Sequence, residues 1–257
     1  MTDISRAIPQ PRRPEFVREN IDRGAFGVVE KPLTAWERIY NVGAVRKLFI
    51  LAALAGAGYS IKVLLMGYAA GIGLAALLTV VAITSRIGND FLETMTSMLN
   101  PLPAIALLPL ALIWFGLGNA SLVFVLIHSV LWPVALNTHS GFLAVSTTLR
   151  MVGRNAGLTG LRYVITVLMP AAFPSILTGM KIGWAFAWRT LIAAELVFGV
   201  SSSSGGLGWF IYVNKNDLEI PNVFAGLFTV ILIGLFVENV IFRNVELKTV
   251  RKWGMQT

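Results

Sequence analysis

The sequence predicts an all-α, polytopic membrane bundle of five or six transmembrane helices, and three observations predict it. Hydrophobic residues make up 56% of the chain and charged residues only 13%, against about 25% charged residues in soluble globular domains. Mean hydropathy is +0.72, and the apolar residues gather in runs near the ~20 residues that a helix needs to cross a bilayer. The basic residues behind the net charge of +8 sit in the N-terminal stretch, one central loop and the C-terminal stretch. That pattern fits cytoplasmic anchoring beside membrane lipid better than a nucleic-acid patch, so no nucleic acid is expected as a partner.

Residues 1–47 carry nine Lys or Arg, from Arg6 to Lys47, and three early prolines, Pro9, Pro11 and Pro14. They read as a cytoplasmic N-terminal tail with a disordered first part. No cleavable signal peptide is expected, because the first apolar run follows this whole polar stretch. Within it, Lys31–Tyr40 is either an irregular tail or a short interfacial helix, with Trp36 and Tyr40 one turn apart at the headgroup level.

The transmembrane domain is expected over 48–242. Leu48–Tyr59 is apolar but short for a span. Lys62 then interrupts, and Val63–Thr84 forms a span in which Gly67, Gly71 and Gly73 permit close helix contact. The first helix is therefore either truncated and tilted or half of a tight hairpin. Ser85–Glu93, with Arg86, Asp90 and Glu93, is expected as a cytoplasmic loop. Pro101, Pro103 and Pro109 then fall inside an apolar run, where repeated kinks suit a segment that bends around a cavity. Gly116–Ala120 reads as a turn and Ser121–Leu136 as the returning span, with His128 and Pro133 inside it. His128 is either hydrogen-bonded within the bundle or part of a transport path. Asn137 and Thr138 are expected to cap the helix end.

Ala171–Val200 is the longest apolar run, and it holds Lys181, Arg189 and Glu195. Charges at membrane depth are costly and face protein or water. Arg189 and Glu195 are six positions apart, so they share no helical face and should pair with other helices or a second subunit. Either a structural ion pair or a positive point in an anion path fits Arg189. Ser201–Glu219 is expected as a polar outer loop whose Trp209–Tyr212 piece lies in the interface. Val223–Phe242 is the last span, and 243–257 a basic cytoplasmic tail. Six spans would put both chain ends on the cytoplasmic side.

Arg150–Pro170 (RMVGRNAGLTGLRYVITVLMP) is the polar, basic stretch between these spans. Arg150, Arg154 and Arg162 protrude from it, and Gly153, Gly157 and Gly160 punctuate it. A short amphipathic piece of this kind suits either an ordinary charged loop or docking to a soluble partner.

Several chemistries are missing. The chain has no Gly-x4-Gly-Lys-Ser/Thr phosphate loop, and no Gly-x-Ser-x-Gly, His-Glu-x-x-His or close carboxylate pair. It has no cysteine, hence no disulfide, iron–sulfur or thiolate metal site. His128 and His139 make no metal motif. No enzyme activity, no cofactor and no metal are expected of this chain.

Gly157, nine residues, Val167, one residue, Met169 and Pro170 resemble the cytoplasmic loop of ABC-importer permeases, in which Glu-Ala-Ala precedes a Gly and a distant Leu-Pro. Here Met151, Val152 and Gly153 occupy the Glu-Ala-Ala positions. The likeness extends on both sides, through NPLPAIALLPLALIWFGLGNAS, WPVALNTHSGF, PAAFPSILTGMKIGWAFAWRTLIAAEL and GGLGWFIY. From about Val63 to Trp253 the chain is similar to the permeases of the nitrate/sulfonate/taurine branch, bicarbonate included. That resemblance implies a type I importer permease fold and a pair of permease copies. It also implies two ABC ATPase subunits beneath, a periplasmic or surface substrate-binding protein above, and residence in the inner (plasma) membrane. It makes 146–170 the coupling loop, with Arg150, Arg154, Asn155, Ala156, Gly157, Leu158, Thr159 and Pro170 as ATPase-coupling residues. Asn137, Arg189, Glu195 and His128 are the expected translocation-path residues. The alternative is a secondary transporter or channel without an ATPase.

Overall fold

The computed structural model describes residues 43–198 and 205–252. Residues 1–47 and 48–257 form two units, and the described residues belong to the second, apart from 43–47 at the start of the leading helix. The expected interfacial helix Lys31–Tyr40 lies outside the described residues.

All the described regular elements are helical. The first, α1 (Gly43–Thr84), is continuous over 42 residues. Its residues Gly56–Thr84 are long and apolar enough to cross a membrane. The expected interruption at Lys62 is absent: Lys is a good helix former, its long stem lets the ammonium reach polar surroundings, and no proline breaks the run. The first apolar segment is thus the leading part of α1 and not a separate span.

Ser85 ends α1 and caps α2 (Arg86–Leu99), its Oγ accepting the Gly88 N–H at 3.3 Å. Ser85–Glu93, expected as a loop, is therefore mostly helix. Asn89 donates to Glu93 one turn later at 3.0 Å, which turns polar residues into helix support. Pro101 and Pro103 break the chain before a 3₁₀ turn (Ala104–Leu107) that leads into α3 (Leu108–Phe115). The two halves of this bent pair make an angle of 91°.

The central helix α4 (Asn119–Ala144) spans 26 residues with Pro133 inside. It runs two turns beyond the expected end. Asn137 does not cap it; its amide donates to the Pro133 carbonyl at 2.8 Å. Then come α5 (Thr147–Asn155), α6 (Gly160–Ala171), with a π-helical turn at Val164–Leu168, and α7 (Phe173–Phe198). A 79° bend separates α6 from α7. The polar stretch expected as a loop, Ser201–Glu219, contains α8 (Leu207–Asn216); residues 201–204 of it lie outside the described residues. Last, α9 begins at Ile220 and continues through π-helical turns to Arg251.

Among the described residues, three helices can cross a membrane alone, and the two bent pairs raise the number to five. The core is the packing of α1, α4 and α7. A Cβ on Gly71 would stand 2.7 Å from Val130 Cβ, and one on Gly179 2.8 Å from Asn137 Cβ. These helices approach closely because a glycine on one leaves room for a side chain of the next, the small-residue device of helix association in lipid. Gly73, by contrast, meets open space. Buried Val63, Leu64, Leu126, Val130, Val134, Trp184, Trp188 and Leu191 fill the interior. Tyr68 of α1 donates to the Met180 carbonyl of α7 at 2.9 Å, its ring edge-on to Trp184.

Candidate functional site

Two sites stand out, a surface helix and a cleft. The surface helix is α5. Ser146 caps it, accepting the Leu149 N–H at 3.3 Å. Its end is a Schellman motif: the Gly157 N–H reaches the Arg154 carbonyl at 2.9 Å and the Leu158 N–H reaches that of Gly153 at 3.1 Å. Gly157 holds φ +74°, a left-handed conformation that a side chain resists, so this glycine stops the helix.

Two contacts tie α5 to the bundle. Gly153 is its buried residue, and a Cβ there would lie 2.8 Å from Val167 Cγ2 and 3.0 Å from Tyr163 Cε2. Arg150 folds back on the end of α4. Its Nε donates to the Val145 carbonyl at 3.0 Å and its terminal nitrogen to the carbonyls of Phe142 and, at 3.4 Å, Leu143. A cation on the carbonyls that end a helix is favourable for both. Arg150 is thus engaged inside the chain, whereas Arg154, Asn155, Ala156, Gly157 and Thr159 are exposed and Leu158 is half-buried. Pro170 is also exposed, but it belongs to the last turn of α6 beside the 79° bend, not to α5.

The apolar outer face of α5 is a feature that the motif spacing alone does not reveal. Met151 is 57% and Val152 58% exposed, with Leu149 and Leu161 also outward. The helical period accounts for it, since Gly153 and Arg150 share the inner side. A cleft of about 460 Å³ lies beside the helix, between Ile83, Arg150, Arg154, Thr159 and Tyr163.

The second site is a cleft of about 360 Å³ where the proline break meets α4 and α7. Residues 100–105 form one wall. His128, Ser129, Trp132 and Pro133 come from α4, and Phe186, Arg189 and Thr190 from α7. Two of the expected path residues, His128 and Arg189, therefore line one cleft, and the prolines bend a chain segment around a cavity. Among the described residues Arg189 makes no ion pair or hydrogen bond. It also borders a neighbouring groove with Lys181 and Glu238. Lys181 itself pairs with Glu246 of α9. Trp132 is only 8% exposed, and its indole N–H has no partner. Both ring nitrogens of His128 are likewise covered and unpartnered, the ring standing edge-on to Trp132 at 6.1 Å. An unmade hydrogen bond in a dry place costs about 1–3 kcal/mol, so these buried polar groups weaken the packing beside the cleft.

Asn137 and Glu195 lie apart from this cleft. Asn137 packs against Gly179 where α4 crosses α7. Glu195 is fully buried. Its carboxylate accepts the Ser60 hydroxyl at 2.8 Å and the Gly208 N–H at 2.7 Å, while Ser60 Oγ accepts the Leu207 N–H at 2.9 Å. The acid thus caps α8 from α7, with α1 as the third party. Its expected partner on another helix exists, but it is a hydroxyl and a helix N-terminus rather than a cation.

Comparison with known proteins agrees with this arrangement. Residues 67–247 match the family described as binding-protein-dependent transport system inner membrane component. A putative ABC transporter permease protein of Methanocaldococcus jannaschii is 34% identical over 179 residues, 70% of this chain and 66% of the relative. A putative aliphatic sulfonates transport permease protein of Escherichia coli K12 is 31% identical over 58% of this chain and 56% of its own. A nitrate import permease protein of Synechocystis is 31% identical over 68% and 62%. The chain thus spans less than two thirds of the length of these relatives. An all-α membrane bundle matched over most of its length leaves one placement: the chain belongs to the inner-membrane components of binding-protein-dependent transport systems, in the nitrate/sulfonate/taurine branch of ABC transporter permeases.

Proposed function

We propose that this chain is the permease subunit of an ATP-driven importer for a small anion, working as a pair of copies with two ATPase subunits and a substrate-binding protein. The observation that carries the reading is α5, a short helix with an apolar outer face that is tied to α4 by Arg150 and to α6 by Gly153. A helix fixed at two points passes a push from a partner into the bundle instead of bending. Met151 and Val152 would enter a groove on the ATPase, with Arg154, Asn155, Ala156, Gly157, Leu158 and Thr159 around them. Arg150 holds the helix, and Pro170 sits at the bend that the push would reach. ATP-driven closure of the ATPases would then shift the bundle between two access states held by different contacts.

Arg189 and His128 support an anionic solute path through the cleft; Asn137 and Glu195 lie outside it and would act on the path only through the packing of α4, α7 and α8. The Escherichia coli and Synechocystis relatives are named for aliphatic sulfonates and nitrate, which favours an oxyanion here also. The outward apolar face of α9, with Phe224, Phe228, Ile231 and Leu235, suits lipid or the second copy. Basic Arg243, Lys248 and Arg251 near its end favour a cytoplasmic C-terminus on the side of the arginines of α5 and α6.

The chain has no cysteine, so Val152→Cys places a single thiol on α5. In a complex with a phosphate-loop ATPase partner, this thiol should cross-link to a cysteine introduced in the ATPase groove, and ATP should change the yield. No cross-link in a complex that still transports would overturn the docking.

A further inference from the structure

We propose that the cleft between the end of α1, α5 and the start of α6 binds the phosphate of an anionic phospholipid of the phosphatidylglycerol type. The inference stands apart from the importer reading, since it concerns what the chain holds of the membrane and not what it moves. Arg150 and Arg154, one turn apart on α5, share a flank of that helix, and both line the cleft of about 460 Å³. No carboxylate lines it. Arg150 uses its Nε and one terminal nitrogen on the carbonyls that end α4; its other terminal nitrogen has no acceptor among the described residues. Arg154 is exposed, and its guanidinium makes no ion pair or hydrogen bond among the described residues. Planar N–H donors of this kind suit a group with several acceptor oxygens, and exposed Thr159 adds a hydroxyl at the same cleft.

The position of the cleft selects the oxyanion. Thr84, which also lines it, is the last residue of the apolar segment Gly56–Thr84 that can cross a membrane. The two guanidiniums therefore stand where hydrocarbon gives way to headgroups. Val81 and Leu77 lie three and seven positions before Thr84, on its face of α1, and both are exposed. That face is an apolar stripe ending at a cationic cleft. A phospholipid has the matching form, with an acyl chain along the stripe and the phosphate diester between the arginines. Two cations with no carboxylate beside them favour a head without an ammonium of its own, hence phosphatidylglycerol over phosphatidylethanolamine. A phosphate seated there touches α1, α5 and α6 together and would add a tie between them.

The test is native mass spectrometry of the full chain, delipidated in detergent and titrated with phosphatidylglycerol or phosphatidylethanolamine. The chain-free competitor is sn-glycerol 3-phosphate. Neither ATPase nor binding protein is present, so the outcome is independent of the coupling at α5. The first phosphatidylglycerol should bind at least about fivefold more tightly than the first phosphatidylethanolamine, and glycerol phosphate should displace it only weakly. Arg154→Gln should weaken the first phosphatidylglycerol by about five- to tenfold, as the loss of a charged hydrogen bond to phosphate requires. Arg154→Lys, which keeps the charge without the fork, should retain part of the binding and exclude misfolding as the cause. Lys248→Gln, an equal loss of charge on α9 away from the cleft, should leave it unchanged. Equal binding of the two lipids, unchanged binding in Arg154→Gln, or an equal loss in Lys248→Gln would overturn the site. Glycerol phosphate competing as strongly as the lipid would make the ligand a free phosphate and overturn the phospholipid.

Discussion

The carboxylate of Glu195 accepts the backbone N–H of Gly208 at 2.7 Å, joining the end of α7 to the start of the short helix α8. Ser60 of α1 completes the junction by donating to the acid and accepting the Leu207 N–H. An anion at a helix N-terminus is favourable, and in a dry bundle each of these bonds is hard to replace.

Glu195→Ala should therefore lower stability by about 2–4 kcal/mol, because Ser60 and the Gly208 N–H lose their acceptor in a buried place and the Leu207 N–H loses its support through Ser60. Glu195→Gln, which keeps an oxygen acceptor, should cost less. Gly208→Ala should destabilise by about 1–3 kcal/mol through overpacking, since its Cβ would fall 2.6 Å from Glu195 Cβ and 2.8 Å from the Ile192 carbonyl. Thermal unfolding in detergent ranks the three.

Arg150→Ala should loosen α5 from α4 at a cost of about 1–2 kcal/mol. Its signature is functional: ATP hydrolysis by the assembled transporter continues while uptake falls. Arg150→Lys should not restore coupling, because a single ammonium cannot span the carbonyls of Phe142 and Val145 as the guanidinium does. Parallel assays of hydrolysis and uptake in proteoliposomes check this. Arg154→Ala, at an exposed position, should weaken ATPase association instead.

Gly157→Val should abolish ATP-driven uptake with membrane insertion intact. A β-branched residue at φ +74° strains the Schellman turn by about 1–2 kcal/mol or more, and the helix end would shift. Uptake together with membrane fractionation reads both halves of the prediction.

Gly71→Leu should impair assembly of the bundle, whereas Gly73→Leu should be tolerated. The first would push into Val130 and the second into open space. Yield of monodisperse protein, compared between the two, decides it.

Fold class and family were legible from composition, from apolar runs and from the proline and glycine spacings, because lipid forces backbone groups into helices. The ends of elements were less so. Lys62, Ser85–Glu93 and Leu207–Asn216 read as breaks on polarity alone, yet Lys62 is an exposed residue of a continuous helix, and helix in the other two is held by a serine cap and a buried glutamate 13 positions upstream of Gly208. The last is a tertiary contact that no local pattern encodes. At the sites, His128 and Arg189 stood out as polar residues in apolar runs, but that one cleft takes in both is a tertiary fact with no local signal. The inward turn of Arg150 and the outward turn of Met151 and Val152 depended on where α5 packs, and a match to a motif position carried no such direction.

The central claim is that the bundle moves solute only when pushed through α5. The most direct measurement is uptake, into proteoliposomes holding this chain, of the solute that the cognate binding protein carries. It is made with and without the ATPase and ATP, and repeated with Met151→Asp and Val152→Asp together. The account predicts uptake only with binding protein, ATPase and ATP, and its loss in the double variant although the chain is still inserted. Solute movement by this chain alone, or full uptake in the double variant, would contradict it.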